Sequence, residues 1–377
     1  MGIVLKTLKG IYFTLACLIS SWLASCFFLL PSYPLGIFVP HIYRSYMQFV
    51  IGTWLLFPPS IYELLWGTQI RVSGDKMRRS ESCLIVANHR TRLDWMFMWS
   101  VTGRARWSAL MKIILRGDLK HLPGFGWAMQ FGGFFFLSRK WASDEKYLTD
   151  KIRYFTTATE PHKLLIFPEG TDYDTKTKKR SDAYGDKEGL PHLDYVLHPR
   201  TTGFIHCVQE LRKGNVPALY DMTLGYPKTL PDRGELDLIT GTMPEEIHVH
   251  VQRFDMDDIP SEKLETDRWL RELWYEKEKR LENFYKEGQF AEENPSKPYF
   301  PSSADNFKIP IFVIWNAGLL LIIYLLFVSP VTRSYLLFSN LALIVLSTLG
   351  HIEDIDRKFE NNEPTISEQP SSETIST

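Results

Sequence analysis

Apolar residues gather at the two ends of this chain and are interleaved with polar ones in its middle. Residues 11–30 carry no charge, and only Ser, Thr and Cys interrupt the apolar run. A run of that length, at about 1.5 Å rise per residue, matches a hydrocarbon core about 30 Å thick and predicts a membrane helix. Lys6 and Lys9 precede it in the manner of a secretory signal. The apolar core is too long for one, however, and no small-residue cleavage site follows before Pro31. A second stretch, residues 47–66, contains Pro58, Pro59 and Glu63. Two adjacent prolines interrupt helical hydrogen bonding, so this stretch reads as re-entrant or interfacial, or else as a buried helix pair. Near the other end, residues 311–328 and 335–349 are apolar and flank Ser329-Pro330-Val331-Thr332-Arg333. They predict a hairpin whose second arm is short for a full span.

Between these ends, residues 83–87 and 163–167 are short apolar runs that stop at Asn88-His89-Arg90 and Pro168-Glu169-Gly170. Such runs fit strands buried on both faces. Residues 133–137, 218–224 and 247–251 are further strand candidates, and helical patterns fall at 95–99 and beyond, at 144–158 and over 261–286. The alternation predicts an α/β fold: a mostly parallel central sheet flanked by helices, plus N-terminal and C-terminal membrane helices. The expected organisation is a membrane helix with a re-entrant or interfacial segment over 1–70 and a catalytic domain over 71–287. A polar linker over 288–308, a hydrophobic hairpin over 309–350 and an acidic tail over 351–377 follow. The tail sets seven acidic residues against Arg357 and Lys358 and reads as disordered. The 261–286 helix, with Trp269, Leu270, Leu273, Trp274, Leu281 and Phe284, suits docking on the sheet or lying on the membrane.

Composition acts mainly by exclusion. With 43 Lys+Arg against 44 Asp+Glu, the net charge of -1 gives no reason to expect nucleic acid as a partner. An apolar share of 45%, with 11 Trp, 17 Tyr and 24 Phe, excludes a wholly disordered chain. Four cysteines without a C-x-x-C pair give neither a disulfide framework nor a zinc site. No metal and no bound cofactor is expected.

Reactive groups in α/β sheets collect on loops at strand ends, where both abrupt breaks lie. His89 and Asp94 are the residue types of a base and its orienting partner. The carboxylate holds one ring nitrogen and leaves the other free to take a proton. Five residues of ideal helix turn through about 500°, so the pair converges only with His89 in a loop and Asp94 in the first helical turn. Asp94 equally suits a simple N-cap. His-x4-Asp recurs at His250/Asp255 and His351/Asp356, but only the first has a buried strand before it and an apolar helix after. At the second break, backbone N–H groups and the Thr171 hydroxyl suit a phosphate, while Glu169 suits a substrate hydroxyl or an Arg. Lys176, Lys178, Lys179 and Arg180 follow within one loop, either offsetting negative charge or simply solvated. Gly132 and Gly133 lead into a strand ending at Arg139, whose planar fork suits phosphate. Nucleophile-elbow, P-loop, dinucleotide-binding and zinc-protease motifs are absent.

In chain order, Asn88-His89 through Asp94, Gly133 through Arg139, Phe167-Pro168-Glu169-Gly170-Thr171 and the strand around Val216-Pro217 resemble the four blocks of the glycerophospholipid acyltransferases. Leu122-Pro123-Gly124-Phe125-Gly126-Trp127 and His198-Pro199-Arg200-Thr201-Thr202-Gly203-Phe204 resemble the branch that includes the 1-acylglycerol-3-phosphate acyltransferases. The fourth block departs from Val-Pro-Val, with Ala218 in the last place. The resemblance implies transfer of a fatty acyl group from acyl-CoA, a donor substrate, to the hydroxyl of a lysophospholipid. The acceptor is then of lysocardiolipin, lysophosphatidylinositol or lysophosphatidylglycerol type, with lysophosphatidic acid as the alternative. His89 becomes the general base and Asp94 its partner. Asn88, Arg92, Gly133, Phe136, Arg139, Pro168, Glu169, Gly170, Thr171 and Arg200 become substrate-binding residues. The implied location is the endoplasmic reticulum membrane, with the active site facing the cytosol. A CoA-independent transacylase and a non-catalytic lipid-binding protein are the remaining readings.

Overall fold

Both abrupt apolar runs become neighbouring strands at the centre of a seven-stranded sheet, in a computed structural model that describes residues 2–157, 160–293, 298–350 and 352. The strands are β1 (Gln69–Gly74), β2 (Cys83–Ala87), β3 (Met111–Arg116), β4 (Phe135–Leu137), β5 (Lys163–Ile166), β6 (Ala218–Gly225) and β7 (Glu246–Asp255). Their order across the sheet is β1-β7-β6-β2-β5-β3-β4. Every neighbouring pair is parallel except β6–β7, so the mostly parallel expectation holds.

Helices cover both faces. They are α1 (Gly2–Ala24), α2 (Leu30–Phe38), α3 (Pro40–Leu55), α4 (Phe57–Trp66), α5 (Asp94–Arg104), α6 (Phe125–Phe131) and α7 (Trp141–Thr157) in the first half. The second half adds α8 (Thr175–Glu188), α9 (Thr201–Lys213), α10 (Glu235–Thr240), α11 (Lys263–Glu287), α12 (Lys308–Val328) and α13 (Pro330–Thr348). Side chains of a strand alternate between faces, and β2 shows what this does. Cys83, Ile85 and Ala87 join a core shared with α1, α4 and α5, whereas Leu84 and Val86 join one shared with α7, α9 and α11. All five are fully buried.

Residues 47–66 form the helix pair α3–α4. Pro58 and Pro59 fall in the first turn of α4, where their missing N–H groups would have had no helical partner anyway. Glu63 is buried and ion-paired with Arg104 at 2.6 Å. Among the described residues, four helical stretches are long and apolar enough to cross a membrane: Gly2–Phe38, Pro40–Trp66, Ser302–Val328 and Pro330–Thr348. The apolar windows of the first two are 56% and 67% buried against the rest of the protein, those of the last two only 6% and 17%. The exposed apolar surface is therefore densest on the C-terminal hairpin.

Residues 176–180 belong to α8 and are not a loop. Asp174 caps that helix in a reciprocal box with Thr177. The 261–286 pattern becomes α11, docked on the sheet through Leu270, Leu273, Trp274, Leu281 and Phe284. Lys277 fastens it to Asp221 of β6 at 2.6 Å, with both side chains fully buried. The acidic tail lies outside the described residues apart from Ile352.

Candidate active site

The C-terminal ends of β2, β5 and β6 meet at one edge of the sheet. Asn88, directly after β2, turns its side-chain amide onto the Leu224 backbone of β6, donating to the carbonyl at 3.1 Å and accepting from the N–H at 2.8 Å. His89 then enters a loop and Asp94 opens α5, the arrangement their spacing requires. His89 Nδ1 lies 2.9 Å from Asp94 Oδ2. A carboxylate only accepts, so Nδ1 donates and Nε2 is left with a free lone pair. The ring stacks on Phe167 at 4.3 Å between centroids and is 16% exposed, while Asp94 is fully buried. Thr91 N–H donates to Oδ2 at 2.9 Å and the Tyr226 hydroxyl to Oδ1 at 2.5 Å. Burial alone lowers the His89 pKa. The hydrogen bond and charge of Asp94, joined by Glu169 and Asp172, outweigh it and hold the ring above the usual imidazole value.

The other His-x4-Asp pair within the described residues does not converge. His250 and Asp255 lie on one strand, β7, where five residues span about 16 Å. His250 contacts Ser73, and Asp255 pairs with Arg253.

Glu169 points inward. It is buried beneath the dyad, accepting the His89 backbone N–H at 3.2 Å, and its second oxygen has no hydrogen-bond partner among the described residues. Burial pushes its pKa up to about 7 against the opposing charge of His89. Gly170, next in sequence, has φ 71°, a left-handed backbone that favours glycine. A Cβ there would come within 3.1 Å of Arg200 Cδ. Arg139 Nη2 donates to the Gly170 carbonyl at 3.2 Å, and the Arg200 N–H donates to the Pro168 carbonyl at 2.7 Å. Burial, followed by the charges of Arg116 and Arg200, lowers the Arg139 pKa. Arg139 and Arg200 thus meet at Gly170, and Arg116, with Asp118 as its counter-charge, bears on Arg139 to complete a cluster of three guanidinium groups. Such a cluster favours an anion.

The remaining expected residues divide by burial. Phe136 is buried in the core with its N–H on the Tyr147 hydroxyl, and Gly133 makes a left-handed turn ahead of β4. These two place Arg139 at the strand end. Arg92 is held outside by Asp172 at 3.2 Å and Glu235 at 3.7 Å. Thr171 is half-buried beside Asp172. Sequence reasoning missed Tyr226 and Arg116. Tyr226 directly follows the buried strand β6 and reads as core, and Arg116 closes β3, which charged residues conceal. Tyr173 was missed as well; its N–H donates to the His89 carbonyl at 2.8 Å and its ring lies under Arg90 at 4.2 Å.

An acyltransferase family model matches residues 69–225, and an acyltransferase C-terminal model matches residues 237–315. The chain is 43% identical to lysocardiolipin acyltransferase 1 of Gallus gallus over 76% of its own length and 75% of that protein's. It is 33% identical to lysophosphatidylinositol acyltransferase 10 of Caenorhabditis elegans over 88% of this chain and 89% of that one. The same 33% relates it to a probable 1-acyl-sn-glycerol-3-phosphate acyltransferase of Arabidopsis thaliana over 78% of each. The crystal structure of the 1-acyl-sn-glycerophosphate acyltransferase of Thermotoga maritima shares the fold, with a TM-score of 0.50 at 18% identity, covering 75% of this chain and 98% of that one. The matched span includes the His89–Asp94 pair and all three guanidinium groups, and the chain belongs to the acyltransferase family that includes the lysocardiolipin and 1-acyl-sn-glycerol-3-phosphate acyltransferases.

Proposed function

We propose that this acyltransferase moves a fatty acyl group from acyl-CoA to the free hydroxyl of an anionic lysophospholipid, with His89 as general base. The observation that carries the reading is the 2.9 Å contact between His89 Nδ1 and Asp94, with the ring's other nitrogen free and the guanidinium cluster gathered about Arg139 from separate segments. The acceptor's phosphate lies among Arg139, Arg200 and Arg116. Its hydroxyl gives a proton to Nε2 as the oxygen attacks the thioester carbonyl. Asp94 stabilises the imidazolium. The tetrahedral intermediate collapses, the carbon–sulfur bond breaks, and the departing CoA thiolate takes the proton back from His89. General-base help contributes on the order of 10²–10⁴-fold, and holding two reactants in register adds more. A thioester is already activated, so this pair needs no covalent acyl-enzyme.

The acceptor is of lysocardiolipin, lysophosphatidylinositol or lysophosphatidylglycerol type, in line with the Gallus gallus and Caenorhabditis elegans relatives. The Arabidopsis thaliana relative makes lysophosphatidic acid the second reading. The apolar hairpin holds the enzyme in the endoplasmic reticulum membrane, with the α/β domain on the cytosolic side where acyl-CoA is available. The test is purified protein in detergent with labelled acyl-CoA and a panel of lysolipids. Transfer to anionic acceptors that requires acyl-CoA is the expected result. Transfer that survives without CoA establishes a transacylase instead, and no transfer to any acceptor leaves a lipid-binding protein.

A further inference from the structure

Asp94 has no solvent around it, and a buried carboxylate needs donors from the protein. The described residues supply three. The His89 ring and the Thr91 N–H serve Oδ2, and Oδ1 has the Tyr226 hydroxyl alone. Tyr226 is 3% exposed, follows directly on β6 and packs its ring edge-on against Phe97 of α5 at 5.9 Å. Its position is over-determined. The Asn88 amide locks Leu224 to the end of β2, and Tyr226 lies two residues further along the same strand end. A closed circuit results: Asn88 holds Leu224, the strand places Tyr226, Tyr226 holds Asp94, Asp94 holds His89, and His89 adjoins Asn88. Burial, followed by the Asp94 charge, raises the Tyr226 pKa well above the usual phenol value, so the hydroxyl remains a donor.

We propose that Tyr226 is a positioning residue for acyl transfer, the third member of a Tyr226–Asp94–His89 chain that aims the base and tempers its basicity. The inference rests on His89 being the general base. The first effect is geometric. Rotation of a carboxylate about its last bond is soft, and tying Oδ1 leaves Oδ2 aimed at Nδ1, which turns Nε2 toward the acceptor. The second effect is electrostatic. A hydrogen bond to the charged form of a group favours that form, so the phenol shares the Asp94 charge and loosens its hold on the imidazolium. His89 then returns its proton to the thiolate more readily. Glu169 and Asp172 face the same ring, Arg90 lies over Tyr173 beside it, and Tyr285 and Tyr62 lie near the Tyr226 hydroxyl. None of these donates to Asp94 Oδ1 among the described residues.

The test is Tyr226→Phe in the full-length protein, which keeps the ring and its contact with Phe97. A hydrogen bond to a charged group contributes enough that kcat should fall about tenfold or more. KM for donor and acceptor should be unchanged, and the acidic limb of the pH profile of kcat/KM should move to higher pH. Placing 3-fluorotyrosine at position 226, a stronger donor of the same shape, should move that limb to lower pH. If Tyr226→Phe does not fold, the fluorinated protein carries the test alone. A pH limb that stays in place in the folded variants overturns the proposal, because a purely structural tyrosine has no reason to tune the base. A fully active His89→Ala protein overturns the general-base reading itself. An inactive His89→Ala protein beside a wild-type-like Tyr226→Phe overturns the tyrosine's role alone.

Discussion

Asn88 and Leu224 exchange two hydrogen bonds, side-chain amide against backbone, and so join the ends of β2 and β6 immediately before His89. Expected from the sequence to touch substrate, Asn88 instead has both amide atoms committed to the protein.

Asn88→Ala leaves the Leu224 N–H and carbonyl buried without partners. Each such group costs about 1–3 kcal/mol, so a loss of roughly 2–6 kcal/mol follows, with reduced kcat because Tyr226 and the loop carrying His89 lose their shared anchor. Denaturant titration in detergent, read beside steady-state kinetics, checks both. A fully active variant of unchanged stability would contradict the anchoring role.

His89→Ala should abolish transfer while the protein stays folded and membrane-bound. Asp94→Asn should lower kcat by about 10²-fold or more. The amide is neutral and cannot stabilise an imidazolium, and its NH2 group competes for the tautomer in which Nδ1 accepts. Circular dichroism and membrane fractionation separate lost chemistry from lost fold.

Arg139→Ala and Arg200→Ala should mainly raise KM for the lysolipid, by about tenfold each if each guanidinium makes a charge-assisted bond to phosphate. KM for acyl-CoA should move little. Gly170→Ala tests the same cluster from the backbone side. It strains a φ of 71° and crowds Arg200 Cδ, so the acceptor constant should rise there as well. An acceptor dependence unaltered in all three variants would remove the phosphate assignment.

Much of this site was legible because buried strands leave a plain signal: β2 and β5 are buried along their whole length and then break abruptly into polar residues. What was hidden had a local pattern that contradicted its environment. β3 carries Lys112 and Arg116, and Lys112 escapes the core by reaching the Gly132 carbonyl at 2.7 Å. α8 has almost no apolar face, so hydrophobic periodicity could not reveal it, although Asp174 ahead of Thr177 was a readable cap. Pro58 and Pro59 suggested a break in a membrane segment, whereas they begin a second helix. Tyr226 gave no signal, since its significance lies in an oxygen that meets Asp94 only after β6 and β2 have paired.

Glu169 provides the clearest dependence on pH. Its folded pKa of about 7 lies above the ordinary 4.5, because burial disfavours the charged form. The fold therefore binds this proton more tightly than the unfolded chain does. The resulting stability is fully present below about pH 4.5, declines as pH rises and is lost through about pH 7; the shift corresponds to roughly 3 kcal/mol. His89, also raised, acts with the same sign, so wild type alone does not separate the two. Glu169→Gln does: its amide oxygen still accepts the His89 N–H, but the side chain no longer ionises. The variant should lose less stability than wild type between pH 5 and pH 8, and should be the more stable protein at pH 8. Thermal unfolding of both proteins across that range decides the matter. Parallel curves would mean that the carboxyl is ionised throughout, despite its burial and its unpartnered oxygen.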